Sequence, residues 1–300
     1  MVSVSSRWEH CPDGIALEYF EHSADRAASY QGVILIASAL GVPARFYNAY
    51  ANFMAMRGFT VLSFNYRGIG LSGQQGNPAL IRLAQWGSQD LDTMIGQATK
   101  SAGNHPVYLV GHSIGGQVVG LAKRADQLSA VIFVGASFPY WSRGPLPYRL
   151  KLLSFYYCLV PIVGRLRDPF PARAVGLSNA DMPSRLLRDW AEWASQKDYL
   201  LSPRFHLNAN QAYSELCLPA LAFEFADDLI APAAAAQKLY DSYPSLQIEV
   251  RRKPAGKPVI GHMGFFRESV GRPFWEEQLA WMTNKQSAIA KQDNAVAYGS

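Results

Sequence analysis

Gly111-His112-Ser113-Ile114-Gly115 is a G-x-S-x-G pentapeptide. In that pattern a serine can sit on a sharp strand-to-helix turn, its hydroxyl lifted above a sheet as a nucleophile. The pentapeptide alone is a weak signal, so its flanks carry the argument. "VYLV" runs directly into Gly111, and "IGGQVVGLAKRA" after Ser113 is compatible with a helix, whose N-terminus favours negative charge. A serine nucleophile needs a base, and the base needs an orienting carboxylate. On a strand–turn–helix elbow these follow in chain order: serine, acid, histidine. Of His10, His22, His105, His112, His206 and His262, only the last two follow Ser113. His262, in "VIGHMGFF", is flanked by glycines and lies after the last predicted strand, and is the expected base. His206 precedes the best acid and reads as a partly buried or surface imidazole. His112 reads as a packing residue of the elbow.

The acid should follow a strand end between Ser113 and His262. "LAFEFADDLIAP" supplies a strand and then Asp227-Asp228. Successive side chains in extended chain point to opposite sides, so one of the two faces the histidine. The Asp-x-x-x-Pro form from Asp228 to Pro232 favours Asp228; Asp227 is the alternative acid, and the other aspartate could cap the helix near Pro232.

These residues must be held by a framework, and the chain supplies one. Asp13-Gly14 followed by the alternating "IALEYFEH" reads as a hairpin. Apolar, β-branched runs at 32–38, 59–65, 106–111, 129–135, 219–225 and 246–252 read as strands buried on both faces, as in a parallel sheet. Helices are predicted at 43–57, 79–100, 114–125, 232–242 and 273–284. The alternation implies an α/β layer sandwich with right-handed crossovers. It breaks at 138–215, which has no clear strand and is too long for a plain loop, so it reads as a helical cap insertion. The expected division is a core of 1–137 and 216–284, the insertion 138–215, and a frayed tail at 285–300.

Composition narrows the class. Of 300 residues, 49% are apolar and 17% charged, which suits a globular chain with a sizeable core. A net charge of +5 is mild for this length and does not argue for nucleic acid. Cys11, Cys158 and Cys217 are scattered, without a C-x-x-C, so neither zinc site nor redox pair is expected. An odd, sparse count suits reduced thiols in a cytoplasm. The N-terminus lacks a basic segment before an apolar run, so no signal peptide is read. The longest apolar run, from Leu152, is too short to span a bilayer. No P-loop is present, and neither metal nor other cofactor is expected. From Pro139 to Ala174 six Lys or Arg face one acid, Asp168. That window suits a solvated basic face, or weak contact with an anionic head group or membrane surface.

Over residues 10–284 the chain resembles the α/β-hydrolase superfamily. "FNYRGIGLSG" (64–73) is similar to its D-x-R-G-x-G-x-S segment, with Asn65 in place of the usual aspartate and Arg67 expected to be buried or salt-bridged. "GHMGFFR" (261–267) and "DWAEWA" (189–194) resemble a bacterial branch of predicted serine hydrolases, related to serine-aminopeptidase and monoacylglycerol-lipase-like groups. The resemblance implies an oxyanion hole made by the N–H of Ile114 and, by position in Ser38-Ala39-Leu40-Gly41, that of Leu40. It implies a cofactor-free serine hydrolase acting on a carboxylic ester, with Ser113, Asp228 and His262 as triad and a small-molecule ester or acyl substrate. Acyl transfer, small-peptide hydrolysis (for which Glu192 or Glu215 would have to reach the site) and a non-catalytic binding role remain as alternatives.

Overall fold

In β3 (Gly32–Ala37), Val33, Leu35 and Ala37 join one apolar cluster while Ile34 and Ile36 join another. The same division holds for Val107 and Leu109 against Tyr108 and Val110 in β5 (Val107–His112), and for Val131 and Phe133 against Ile132 and Val134 in β6 (Ala130–Val134). A side-chain period of two with both faces apolar makes a sheet covered on both sides. In the computed structural model, which describes residues 2–74, 77–144, 146–174 and 181–298 and side chains up to 286, these strands form the middle of that sheet. The others are β1 (Val4–His10), β2 (Ala16–His22), β4 (Phe59–Phe64), β7 (Pro219–Phe225) and β8 (Gln247–Lys253). The order is β1-β2-β4-β3-β5-β6-β7-β8. The β1–β2 hairpin turns at Gly14, with φ of 84°, and β2 pairs antiparallel with β4; all other pairs are parallel.

Helices follow the predicted segments less closely. A short 3₁₀ turn leads into α1 (Asn48–Ala55), and the 79–100 segment resolves into a 3₁₀ turn, a π turn at Trp86–Leu91 and α2 (Asp92–Ala102). Leu83 N–H, between those turns, donates to Asp189 at 3.0 Å, so a distant carboxylate replaces a helical acceptor. The helix expected over 114–125 is a single turn, α3 (Ile114–Gln117), followed by 3₁₀ turns. Tertiary tyrosines explain the break. Gly120 N–H donates to Tyr243 Oη at 3.0 Å, and Tyr213 Oη donates to the Gln117 carbonyl. A Cβ on Gly120 would lie 2.3 Å from the Tyr213 ring. Backbone groups that a longer helix would pair internally are satisfied by hydroxyls instead. α8 (Ala233–Tyr240) lies within its predicted span, and α9 (Glu268–Tyr298) continues well beyond 284.

Between β6 and β7 the chain forms α4 (Leu146–Ser154), a π turn at Phe155–Leu159, α5 (Val160–Leu166), α6 (Ser184–Ala194) and α7 (Asn210–Glu215). Leu186, Leu187, Trp193, Tyr199 and Tyr213 of this segment belong to the same cluster as Val33 and Leu109, so it packs on one face of the sheet. Its strand pairing, among the described residues, is the bridge between Phe170 and Met182. Among the described residues no helix is long and apolar enough to cross a membrane.

Candidate active site

Ser113 follows β5 with φ 52° and ψ −117°, a conformation that costs a non-glycine residue about 1–3 kcal/mol and persists only where the surroundings enforce it. Its N–H donates to the Val134 carbonyl at 3.0 Å, and its own carbonyl accepts from Gly116 and Gln117, which starts α3. The flanking glycines make the turn possible. A Cβ on Gly115 would lie 2.1 Å from the Ala37 carbonyl oxygen, and one on Gly111 would lie 2.6 Å from Gly116 Cα. The serine side chain, half-buried, lines a cleft at the C-terminal ends of the parallel strands. That is where open α/β sheets bind ligands.

Asp227 and Asp228 follow β7, and His262 follows β8. Asp228 Oδ2 lies 2.7 Å from His262 Nδ1, while Asp228 Oδ1 accepts from Ile230 and Ala231 N–H at 2.9 and 3.0 Å. Burial pushes the Asp228 carboxyl up, but the His262 hydrogen bond and charge, with those two N–H groups, outweigh it and hold it below the usual carboxylate range. Asp227 does a different job. Its oxygens accept from Ile260 and Gly261 N–H, both at 2.9 Å, pinning the loop that carries His262. Of the two aspartates it is therefore Asp228 that meets the imidazole. Gly135, with φ 54°, lies against the pair: a Cβ there would sit 3.1 Å from Asp228 Oδ2 and 3.3 Å from His262 Nδ1.

His112 is more than packing. Its ring is fully buried, and its Nε2 lies 2.9 Å from the His262 carbonyl oxygen, which can only accept. Nε2 therefore carries the proton, and Nδ1 accepts from Tyr47 Oη at 2.9 Å. Tyr47 Oη in turn accepts from Ala39 N–H at 2.9 Å. One chain of hydrogen bonds thus joins the loop after β3, the elbow after β5 and the histidine loop after β8. Burial, then the nearby charge of His262, pushes His112 down to about 3, so it stays neutral. Tyr47, Ala39 and Gly135 carried no sequence signal of a role here; Tyr47 reads as one more aromatic in an apolar helical stretch.

Ile114 and Leu40 also line the cleft. Ile114 N–H belongs to the first turn of α3 and has no intrahelical acceptor, and Leu40 N–H meets no acceptor among the described residues. The cleft encloses about 400 Å³ and has Trp190 and Arg173 from the β6–β7 segment on its wall, with Arg267 from the histidine loop. Neither guanidinium is ion-paired among the described residues, although Arg173 N–H donates to Asp181 at 3.2 Å, and no described Asp or Glu lines the cleft. A separate apolar pocket of about 260 Å³ shares Pro139, Trp190 and Ile230 with it.

Other singled-out residues lie elsewhere. His206 is exposed and does not line the cleft, and neither does Glu192 or Glu215. Arg67 is buried and ion-paired with Asp90 and Asp13, each at 2.6 Å. Asn65 accepts from Ala44 N–H at 2.8 Å and donates to Glu18 at 2.7 Å, so the amide bridges two partners where a second buried carboxylate would face Glu18. Among the described residues no group of three or more His, Cys, Asp or Glu side chains is placed to hold a metal ion.

A family model described as Serine aminopeptidase, S33, matches residues 28–256. Solved structures of the same fold include a soluble variant of monoglyceride lipase from Saccharomyces cerevisiae in complex with a substrate analog (TM-score 0.67, 14% identity, covering 95% of this chain and 96% of that one). An esterase from Exiguobacterium antarcticum aligns with TM-score 0.62 and 15% identity over 93% of this chain and 100% of its own. A haloalkane dehalogenase from Bradyrhizobium elkani gives 0.61 and 17%, covering 96% of this chain and 100% of that one. The eight-stranded sheet, the strand–turn–helix elbow at Ser113 and a match over most of the length place this chain in the serine aminopeptidase S33 family of the α/β-hydrolase superfamily.

Proposed function

We propose that the protein hydrolyses carboxylic esters through Ser113, His262 and Asp228. The observation that carries this reading is the convergence on one cleft of a serine at positive φ, an imidazole whose Nδ1 is held 2.7 Å from a buried aspartate, and two backbone N–H groups without an acceptor among the described residues. Asp228 fixes the tautomer: with Nδ1–H donated to it, Nε2 is the basic nitrogen. His262 takes the Ser113 proton as the oxygen attacks the ester carbonyl. Ile114 and Leu40 N–H receive the developing oxyanion, each such donor lowering the barrier by about 2.7–4 kcal/mol. The imidazolium then protonates the departing alcohol, and water, deprotonated by His262, clears the acyl-enzyme.

The apolar pocket beside the cleft suits an acyl or aromatic arm. Small-peptide hydrolysis at a free amino terminus is the weaker reading, because a substrate ammonium would meet Arg173 and Arg267 and, among the described lining residues, no carboxylate. Free thiols at Cys11, Cys158 and Cys217 fit a reducing cytoplasm. A series of p-nitrophenyl esters of rising chain length, run beside aminoacyl arylamides, tests the assignment. Turnover of esters, favouring medium over acetyl chains and exceeding turnover of arylamides, is expected. Arylamide cleavage without ester cleavage would contradict it, and a preference for acetyl would remove the acyl arm from the pocket.

A further inference from the structure

Large apolar side chains exposed to solvent are concentrated on one element. Half of the exposed large hydrophobic residues described lie between 146 and 166, in the continuous run of α4, the π turn and α5. Leu146, Leu150 and Leu166 are 74%, 78% and 78% exposed. The principal positions are Leu146, Leu150, Leu153, Tyr157, Ile162 and Leu166. Their spacing is four, three and four residues, then five across the π turn, then four. A π turn holds one residue more than an α turn, so the step of five keeps the stripe on one side of the helix. Tyr156, Val160 and Gly164, on the opposite side, are buried. Leu229 and Ile230, also exposed, line the apolar pocket together with Tyr148, Leu152 and Phe155 of this run, and so extend the patch toward the catalytic cleft. A contiguous apolar surface of this kind marks an interaction site.

The charges say with what. From Pro139 to Arg167 the chain carries Arg143, Arg149, Lys151, Arg165 and Arg167 and no acid. Arg143 is engaged with the carbonyls of Phe138 and Lys197, but Arg149, Lys151, Arg165 and Arg167 have no carboxylate partner among the described residues. The next acid, Asp168, accepts from Ser184 N–H at 2.9 Å. We infer that this stripe is a docking surface for an anionic lipid bilayer: the leucines, tyrosine and isoleucine enter the boundary between head groups and acyl chains, and the basic side chains contact lipid phosphates. A second copy of the chain fits poorly, because face-to-face docking would oppose unpaired cations to unpaired cations. The inference does not depend on what Ser113 does.

Flotation of the full-length protein with large unilamellar vesicles tests it. Vesicles of phosphatidylcholine with about 30 mol% phosphatidylglycerol should carry the protein at low salt, pure phosphatidylcholine at least several-fold less, and high salt should weaken the binding. Leu150→Ser/Leu166→Ser should lose most of the partitioning, and Arg165→Gln/Arg167→Gln should lower it by about fivefold per charge. Unchanged thermal melting of both variants establishes that they are folded, independently of any ester assay. Failure of the native protein to float, equal flotation with neutral and anionic vesicles, or native-like flotation of both variants would overturn the inference. So would a concentration-dependent dimer, abolished by Leu150→Ser/Leu166→Ser, in a protein that ignores vesicles.

Discussion

Asp227 and Asp228 differ by one position and share no partner. Asp228→Asn should lower kcat on a p-nitrophenyl ester by about 10⁴-fold, because the amide supports the wrong imidazole tautomer. Asp227→Asn should keep kcat within about tenfold but lower thermal stability, since an amide can accept only one of the two N–H groups that anchor the histidine loop, at a cost of about 1–3 kcal/mol. Equal effects of the two on kcat would contradict the assignment. The sequence favoured Asp228 through its spacing to Pro232, yet what separates the pair is a set of partners more than thirty residues away. His112 shows the same limit. Its neighbourhood to Ser113 was visible, but its bonds to Tyr47 and to the His262 carbonyl come from two other loops. It is a positioning residue: His112→Leu should lower kcat with little change in KM, and His112→Gln, which keeps a donor where Nε2 is, should recover most of it. A fall in KM-dependent binding alone would count against this.

Strands were the most legible elements because their signal is local: a run of β-branched apolar residues long enough for one strand, with both faces buried. The helix after Ser113 was overestimated because Tyr213 and Tyr243, whose hydroxyls take its backbone groups, are distant in sequence. The same elbow sets a sharp steric expectation. Gly115→Ala should fail to fold normally, because the added carbon meets the β3 backbone rather than a movable side chain. The Arg67 loop, read in advance as structural, is a second test. Arg67→Met leaves Asp90 fully buried without its cation and should cost about 3–5 kcal/mol, lowering the melting temperature by about 10 °C. Since Arg67 does not line the cleft, turnover by the folded fraction at low temperature should be near normal. A variant as stable as the native protein would show that the pair contributes nothing net.

At the scale of the whole molecule, proton binding links the site to stability. His112 sits near 3 when folded, against 6.5 ordinarily. Between those values the unfolded chain binds a proton that the folded chain refuses, so stability is full above 6.5 and falls as the pH drops, by at most about 1.4 kcal/mol per pH unit from this group. Asp228 acts in the same sense lower down, because its depressed carboxyl contributes stability above 3.8 that is lost as the pH falls through its folded value. Burial raises the Asp90 carboxyl to about 6, which opposes His112 in this window, so the test is the difference: the change of urea midpoint from about pH 4 to 6 should be more positive in the native protein than in His112→Gln, and parallel profiles would assign the slope to other groups. The ordering of serine, acid and histidine along the chain was readable, whereas their meeting requires three loops, after β5, β7 and β8, to converge. That meeting is tested most directly by a fluorophosphonate probe followed by peptide mass mapping. Stoichiometric phosphonylation of the Ser113 peptide is expected, abolished in Ser113→Ala and slowed at least about 100-fold in His262→Gln. A folded protein that stays unlabelled, or is labelled at another serine, would contradict the account.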